Sequence, residues 1–348
     1  MKRLQLVVLL LTAGLMAGLI GCTLQDNVVT SPGVLTDSQA LQEAAATIDS
    51  VAAFSSSDEA TIDDDGMRNP EYDGFTKIDA GNLARLAAVF GDSITPVRWG
   101  RHIFWNRITR RYDVIISPGD SNSLVTITKT IPGEFWVGVG FKTADTVIVD
   151  SIIRKPFTEV ESRKVRFIRV AHSLNPAKNW VPVAITMVVG STRPDSLNPF
   201  SITSLEVEHF GHFETTYTDP LQSWFRLGLF RGSIPHFRVG DSIRVRVTLH
   251  SSSDSAEIAH FRYGIAGDGP ERRRALMRLV STSGEPGNFT RVYGRTFITR
   301  LPVVVFPVGL RPTLRFNAIV DVISHGSIYV KDAPFTNEFW GTPYIVVR

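Results

Sequence analysis

Histidine and glutamate side chains crowd residues 206–214, where they could ligate a metal ion. His209 and His212 stand three residues apart, and on a helix they would share a face. The nearby carboxylates are those of Glu206, Glu208 and Glu214. Gly211 and the alternation of the flanking residues instead indicate a strand end, where the two imidazoles diverge. Because the spacing places no third ligand, the sequence predicts no zinc site here.

The acidic string Asp63-Asp64-Asp65-Gly66 has the residue types of a calcium-binding loop. In the frame of an EF-hand, Thr61 is the first position and Tyr72 the twelfth, so the bidentate glutamate of that loop is missing. An acidic, solvated linker explains the string as well. We therefore expect neither a metal nor an organic cofactor.

The third candidate for chemistry is Ser93, in the string VFGDSITP at residues 89–96. This string resembles the nucleophile block of the GDSL (SGNH) esterase family. The resemblance implies a parallel α/β sheet with Ser93 as the nucleophile after its first strand. It further implies a glycine and a Gly-Asn-Asp block that supply oxyanion-hole donors, and an Asp-x-x-His block near the C-terminus. A lipid-anchored esterase is the function that would follow.

The remaining blocks of that family do not follow in this sequence. The string nearest to Gly-Asn-Asp is Gly287-Asn288-Phe289, and Asp321 and His325 are separated by one residue too many. Their segment has the pattern of a strand, in which they would lie about 13 Å apart. That distance is too long for an Asp–His hydrogen bond. We therefore expect no catalytic residues and predict that the protein is not an enzyme.

The tripeptide Gly-Asp-Ser itself occurs three times, at Gly91, Gly119 and Gly240. The third copy directly precedes the most regular alternation of apolar and polar residues in the chain, Ile243–Leu249. Glycine adopts unusual backbone angles, and Asp or Ser side chains bond nearby amides, so the tripeptide suits a turn before a strand. The repetition favours a turn over a nucleophile at Ser93.

The N-terminus has the pattern of a secretory signal. A basic Met1-Lys2-Arg3 precedes an apolar run from Leu6 to Ile20, and Leu19-Ile20-Gly21-Cys22 closes it. These last four residues resemble the lipobox of bacterial lipoproteins. The resemblance implies cleavage after residue 21 and acyl chains on Cys22. Thr23 in place of aspartate favours the outer membrane over the inner one.

Cys22 is the only cysteine, so no disulfide can form within the chain. The formal net charge of +3 is the sum of two opposite parts. The charged residues of 1–75 are mostly acidic, whereas those of 76–348 are mostly basic. Residues 22–95 are predicted to be an acidic tether with short helices. One begins at the capping box Thr36–Gln39 and another covers residues 82–90.

From residue 96 onward, short Val-, Ile- and Thr-rich runs alternate with turn residues, and only Glu271–Leu279 favours a helix. This pattern predicts a mainly β protein with two tandem antiparallel β-sandwich modules. The first β domain would cover residues 96–192. The second, residues 193–348, resembles the Ig-like modules of secreted bacterial proteins.

Basic and aromatic side chains suggest a binding surface in the body. Its candidate residues are Arg98, Trp99, Arg101, Trp105 and Trp340. Such residues could meet an envelope polysaccharide or a protein partner, whereas no nucleic-acid-binding motif is present. The sequence thus predicts a non-catalytic cell-envelope lipoprotein that acts as a binding or structural module. The alternatives are the esterase that uses Ser93 and a carbohydrate-binding surface protein.

Overall fold

The computed structural model describes residues 35–50, 96–142, 147–210, 213–227, 233–263, 273–299 and 314–347. All of them belong to one compact unit, Leu35–Arg348. The predictions made for Cys22, for Asp63–Gly66, for the helix at residues 82–90, for Ser93 and for His212 fall outside the described residues.

The first helix, α1 (Asp37–Ser50), confirms the predicted capping box. The Thr36 backbone N–H donates to Gln39 Oε1 at 2.8 Å, and the Gln39 N–H donates to Thr36 Oγ1 at 3.2 Å. Each partner satisfies an amide that the first helical turn leaves without an acceptor. Leu41 and Ala45, four residues apart on one face, are fully buried. The helix is therefore held to the β body by its apolar stripe.

The described residues further contain seventeen strands, a second helix, α2 (His325–Tyr329), and three short 3₁₀ helices. The strands are β1 (Pro96–Ile103), β2 (Thr109–Ile116), β3 (Asn122–Lys142), β4 (Val147–Arg169), β5 (Trp180–Thr186), β6 (Val188–Thr192), β7 (Phe200–His209), β8 (Phe213–Tyr217), β9 (Trp224–Arg226), β10 (His236–Arg238), β11 (Ser242–Ser251), β12 (Ile258–Tyr263), β13 (Arg273–Leu276), β14 (Arg278–Glu285), β15 (Asn288–Ile298), β16 (Leu314–Ile323) and β17 (Asn337–Val347). Neither helix is long and apolar enough to cross a membrane.

The strands form two sheets, which confirms the prediction of a mainly β, antiparallel protein. A twelve-stranded half-barrel follows the order β1-β3-β4-β6-β17-β16-β12-β13, with β2, β5, β9 and β10 attached beside this path. A five-stranded sheet has the order β14-β15-β11-β7-β8. Among the strand pairs of the described residues, only β10 and β17 run parallel to each other.

The predicted division into two tandem sandwiches is not confirmed, because the larger sheet contains strands from both halves of the chain. Strand β6, which ends the first predicted domain, pairs with β17 at the C-terminus, and Gly190 lies opposite Phe339. Local patterning indicates strands but not their partners, so this pairing across the boundary could not be predicted from it.

One local prediction also differs from the structure. Residues 273–276 and 278–279 of the predicted helix Glu271–Leu279 are strand, because β13 pairs with β12 and β14 pairs with β15. Strand β3 runs without a break through Gly133, which lies opposite Phe157 of β4. A Cβ at Gly133 would lie 2.7 Å from the Cζ atom of Phe157 on the paired strand. The aromatic ring thus fills the glycine's place and lets the long hairpin curve.

The two faces of β16 pack into different cores. Phe316, Ala318 and Val320 join the large apolar cluster that includes the inner residues of β7 and β11. Ile319 and Ile323, on the opposite face, join a second cluster with residues of β1 and β3. Side chains alternate across a strand, so β16 is buried on both sides. The second cluster also adjoins charged side chains, described below.

Candidate binding cleft and buried ion cluster

The structure does not assemble the predicted binding surface. Trp99, Arg101 and Trp340 are only 3%, 4% and 3% exposed, whereas Trp105 is 43% exposed. Arg98 lies in β1 opposite Gly138. The correction follows from strand alternation, because Trp99 and Arg101 are two residues apart and both turn inward.

The outer side of β1, β3 and β4 carries a ladder of aromatic rings and guanidinium groups. The sequence analysis did not predict it. The His102 ring stacks on Trp136 at 4.9 Å, and the Arg154 guanidinium lies 5.0 Å from the Trp136 centroid. Phe104 contacts His102 at 5.7 Å, and Arg107 lies 5.1 Å from the Phe104 ring. Trp136 is half-buried on this face. The cross-strand pairing of β1 with β3 is the signal that would have revealed the ladder.

Arg101 belongs to a buried ion cluster, which we define as Arg101, Glu159, Arg262, Asp321 and Asn337. The Nη2 atom of Arg101 donates to both carboxylate oxygens of Asp321, at 2.8 and 2.9 Å. Arg262 donates to Asp321 at 2.8 Å and Asn337 donates at 3.2 Å. Asp321 therefore joins four strands of the half-barrel, β1, β12, β16 and β17. It serves as a structural anion.

Glu159 is the second carboxylate of the cluster and is completely buried. Its Oε1 atom lies 3.4 Å from Nε of Arg101. Burial raises the pKa of Glu159 to about 7, although the Arg101 charge opposes the shift. His260 lies opposite Asp321 in the pairing of β12 with β16, and burial lowers its pKa to about 3, so that imidazole is neutral near pH 7. The charge of the buried ion cluster therefore depends on pH near neutrality, through Glu159.

The partners expected for an esterase triad are positioned for other tasks. Asp321 is the anion of the buried ion cluster, and His325 begins α2, where it stacks on Tyr329 at 4.4 Å. Burial lowers the pKa of His325 to about 4. The two described copies of Gly-Asp-Ser are turns, as predicted, with positive φ at Gly119 (85°) and Gly240 (93°).

Metal ligation finds no support in the described part of the chain, where no group of three or more His, Cys, Asp or Glu side chains could hold an ion. His209 Nε2 instead lies 3.4 Å from Asp241 Oδ2, and its ring meets the Phe237 ring edge-on. These contacts place His209 at the junction between β7 and the turn before β11.

A cleft of about 520 Å³ opens where the two sheets meet. Its walls come from β6, the short 3₁₀ turn Asp195–Leu197, the ends of β7 and β11, and β17. The polar side chains that line it include Ser191, Arg193, Asp195, His250, Ser252 and Glu338. Its volume lies within the range of about 300–1,000 Å³ typical of small-molecule sites. We call it the junction cleft.

Glu338 is the fixed acceptor of the junction cleft. Its Oε2 accepts a hydrogen bond from the Ile202 backbone N–H at 3.0 Å, and its Oε1 accepts one from Trp340 Nε1 at 3.0 Å. Burial raises the pKa of Glu338, while the two hydrogen bonds oppose that shift. Trp340, predicted as a surface residue, thus acts from inside the fold by orienting Glu338.

The opposite wall is also held by its own hydrogen bonds. Ser191 Oγ donates to Asp195 Oδ1 at 3.0 Å, and Asp195 forms an ion pair with Arg193. Ser252 Oγ donates to the Pro199 carbonyl at 3.0 Å. Fixed side chains of this kind present a preformed pattern of donors and acceptors to a ligand.

Comparison of the chain with protein-family models, with curated proteins and with solved structures finds no match.

Proposed function

We propose that this protein is a lipid-anchored, non-catalytic binding or structural module of the bacterial cell envelope. The lipobox-like Leu19–Cys22 supports an anchor at Cys22, and Thr23 favours the outer membrane. The β body would then act at the membrane surface toward an envelope polysaccharide or protein. The anchor keeps its effective concentration there high.

The direction of the hydroxyl hydrogen bonds in the junction cleft favours a binding function over a catalytic one. A serine nucleophile must give its proton to a base such as histidine. Ser191 and Ser252 instead donate to Asp195 and to the Pro199 carbonyl, within a wall that other contacts hold in place. Glu338 likewise accepts two hydrogen bonds from fixed donors, which suits a recognition group.

The anchor predicts a clear difference between the wild type and Cys22→Ala when cells are grown with labelled fatty acid. The label should enter the wild-type protein and be absent from the variant, because Cys22 supplies the only thiol. The wild type should also sediment with outer-membrane vesicles, whereas the variant should be released. Equal labelling of both proteins would refute the lipoprotein proposal.

A further inference from the structure

The junction cleft contains one guanidinium group, of Arg193, and two carboxyl groups, of Asp195 and Glu338. Arg193 is paired with Asp195 at one wall, and Glu338 at the other is held by the Trp340 and Ile202 donors. An anionic ligand would meet two carboxylates, and a cationic ligand would meet the Arg193 guanidinium. Asp195 is already paired with Arg193, and burial raises the pKa of Glu338, so neither carboxyl group favours a cationic ligand. Because the two carboxyl groups also disfavour an anion, a ligand without net charge fits best.

The same cleft offers many hydrogen-bonding groups at short spacing. The lining includes the hydroxyls of Ser191, Ser201 and Ser252, the His250 imidazole and the Asn198 amide. Hydroxyls both donate and accept, and the Arg193–Asp195 pair places donor N–H groups next to acceptor oxygens. Neighbouring hydroxyl groups on a ligand could therefore be matched by adjacent donors and acceptors.

Apolar side chains complete the lining, at Val189, Pro199 and Phe200. A ligand that fits must thus expose C–H surface beside its hydroxyl groups, as a pyranose ring does. We propose that the junction cleft binds a short, uncharged oligosaccharide. This inference rests on the proposed binding function and names the ligand class of that same site.

The test uses the full chain with Cys22→Ala, titrated with uncharged di- to tetrasaccharides of glucose, galactose, mannose and N-acetylhexosamines. Acidic oligogalacturonates of equal length are the contrasting probes. At least one uncharged sugar should bind with a dissociation constant in the millimolar range or below, and tighter than the acidic probes. Calorimetry measures the affinity.

Two pairs of variants locate the site. Arg193→Ala and Glu338→Gln should each weaken binding by about 10-fold or more, the loss expected for a hydrogen bond to a charged group. The matched changes Arg278→Ala and Glu285→Gln, both at exposed positions of β14, should leave the affinity unchanged. Because Arg193 is also exposed, its variant should keep the fold, which a thermal melt checks.

Three results would overturn the proposal: no uncharged sugar binds to the folded protein, the acidic probes bind more tightly, or both cleft variants bind like the wild type. Mass spectrometry of the recovered sugar separates this proposal from the function above. Cleaved sugar would contradict a non-catalytic module and leave the ligand class standing. Intact sugar bound only elsewhere would contradict the cleft and leave the module standing.

Discussion

Replacing Asp321 by asparagine is expected to lower the free energy of unfolding by about 3–5 kcal/mol, the cost of breaking a buried ion pair from one side. The substitution keeps the size of the side chain and removes its charge. Arg101 and Arg262, whose side chains are each 2% exposed, would then lack the anion that both contact. Since whole domains are stable by only about 5–15 kcal/mol, this is a large loss. Urea denaturation followed by tryptophan fluorescence measures it.

The matched control is Asp113→Asn, which removes an aspartate paired with Arg111 at 2.8 Å. Those side chains are 45% and 76% exposed, so solvent screens the pair and the expected loss is below about 1 kcal/mol. A similar, small loss in both variants would contradict the structural role assigned to Asp321. The comparison isolates burial, because both substitutions and both partners are of the same type.

Replacing Glu159 by glutamine is expected to change how stability depends on pH. The pKa of Glu159 is about 7 in the folded protein, whereas the ordinary pKa of a glutamate is 4.5. The folded state therefore binds the Glu159 proton more tightly than the unfolded state does. The stabilisation that follows from this difference is complete below pH 4.5. The contribution is lost as the pH rises to about 7 and beyond, where the buried carboxylate ionises. The wild type should thus lose up to about 3 kcal/mol relative to Glu159→Gln across this window.

The measurement is the difference in unfolding free energy between wild type and variant at pH 5, 6, 7 and 8. That difference should move in favour of Glu159→Gln as the pH increases. Glu285→Gln is the control, since Glu285 is exposed. A difference that is constant from pH 5 to 8, or that moves in favour of the wild type, would contradict the raised pKa.

The sequence allowed the local elements to be predicted where a local cause determines them. The capping box joins Thr36 and Gln39, which are three residues apart, and it determines where α1 begins. The alternation in β11 marks a strand with one buried face, and the structure buries Ile243, Val245 and Val247. Pairings between distant strands, such as Gly190 with Phe339, leave no local trace and were missed.

The candidate site could not be predicted from the sequence for a related reason. Glu338 is held by the amide of Ile202, 136 residues away in the chain, and the cleft exists only because β6, β7, β11 and β17 meet. Trp340 stood out by residue type, but an isolated tryptophan does not reveal whether its indole faces solvent or a buried carboxylate. The basic and aromatic cluster around Arg101 misled for the same reason, since its inward-facing members serve the fold.

Ester hydrolysis by the purified protein, measured beside Ser93→Ala, tests most directly whether the protein binds without catalysing. Both proteins should release product from short-chain p-nitrophenyl esters at the rate of buffer alone. Turnover by the wild type that disappears in Ser93→Ala would establish Ser93 as a nucleophile and contradict the proposed non-catalytic function.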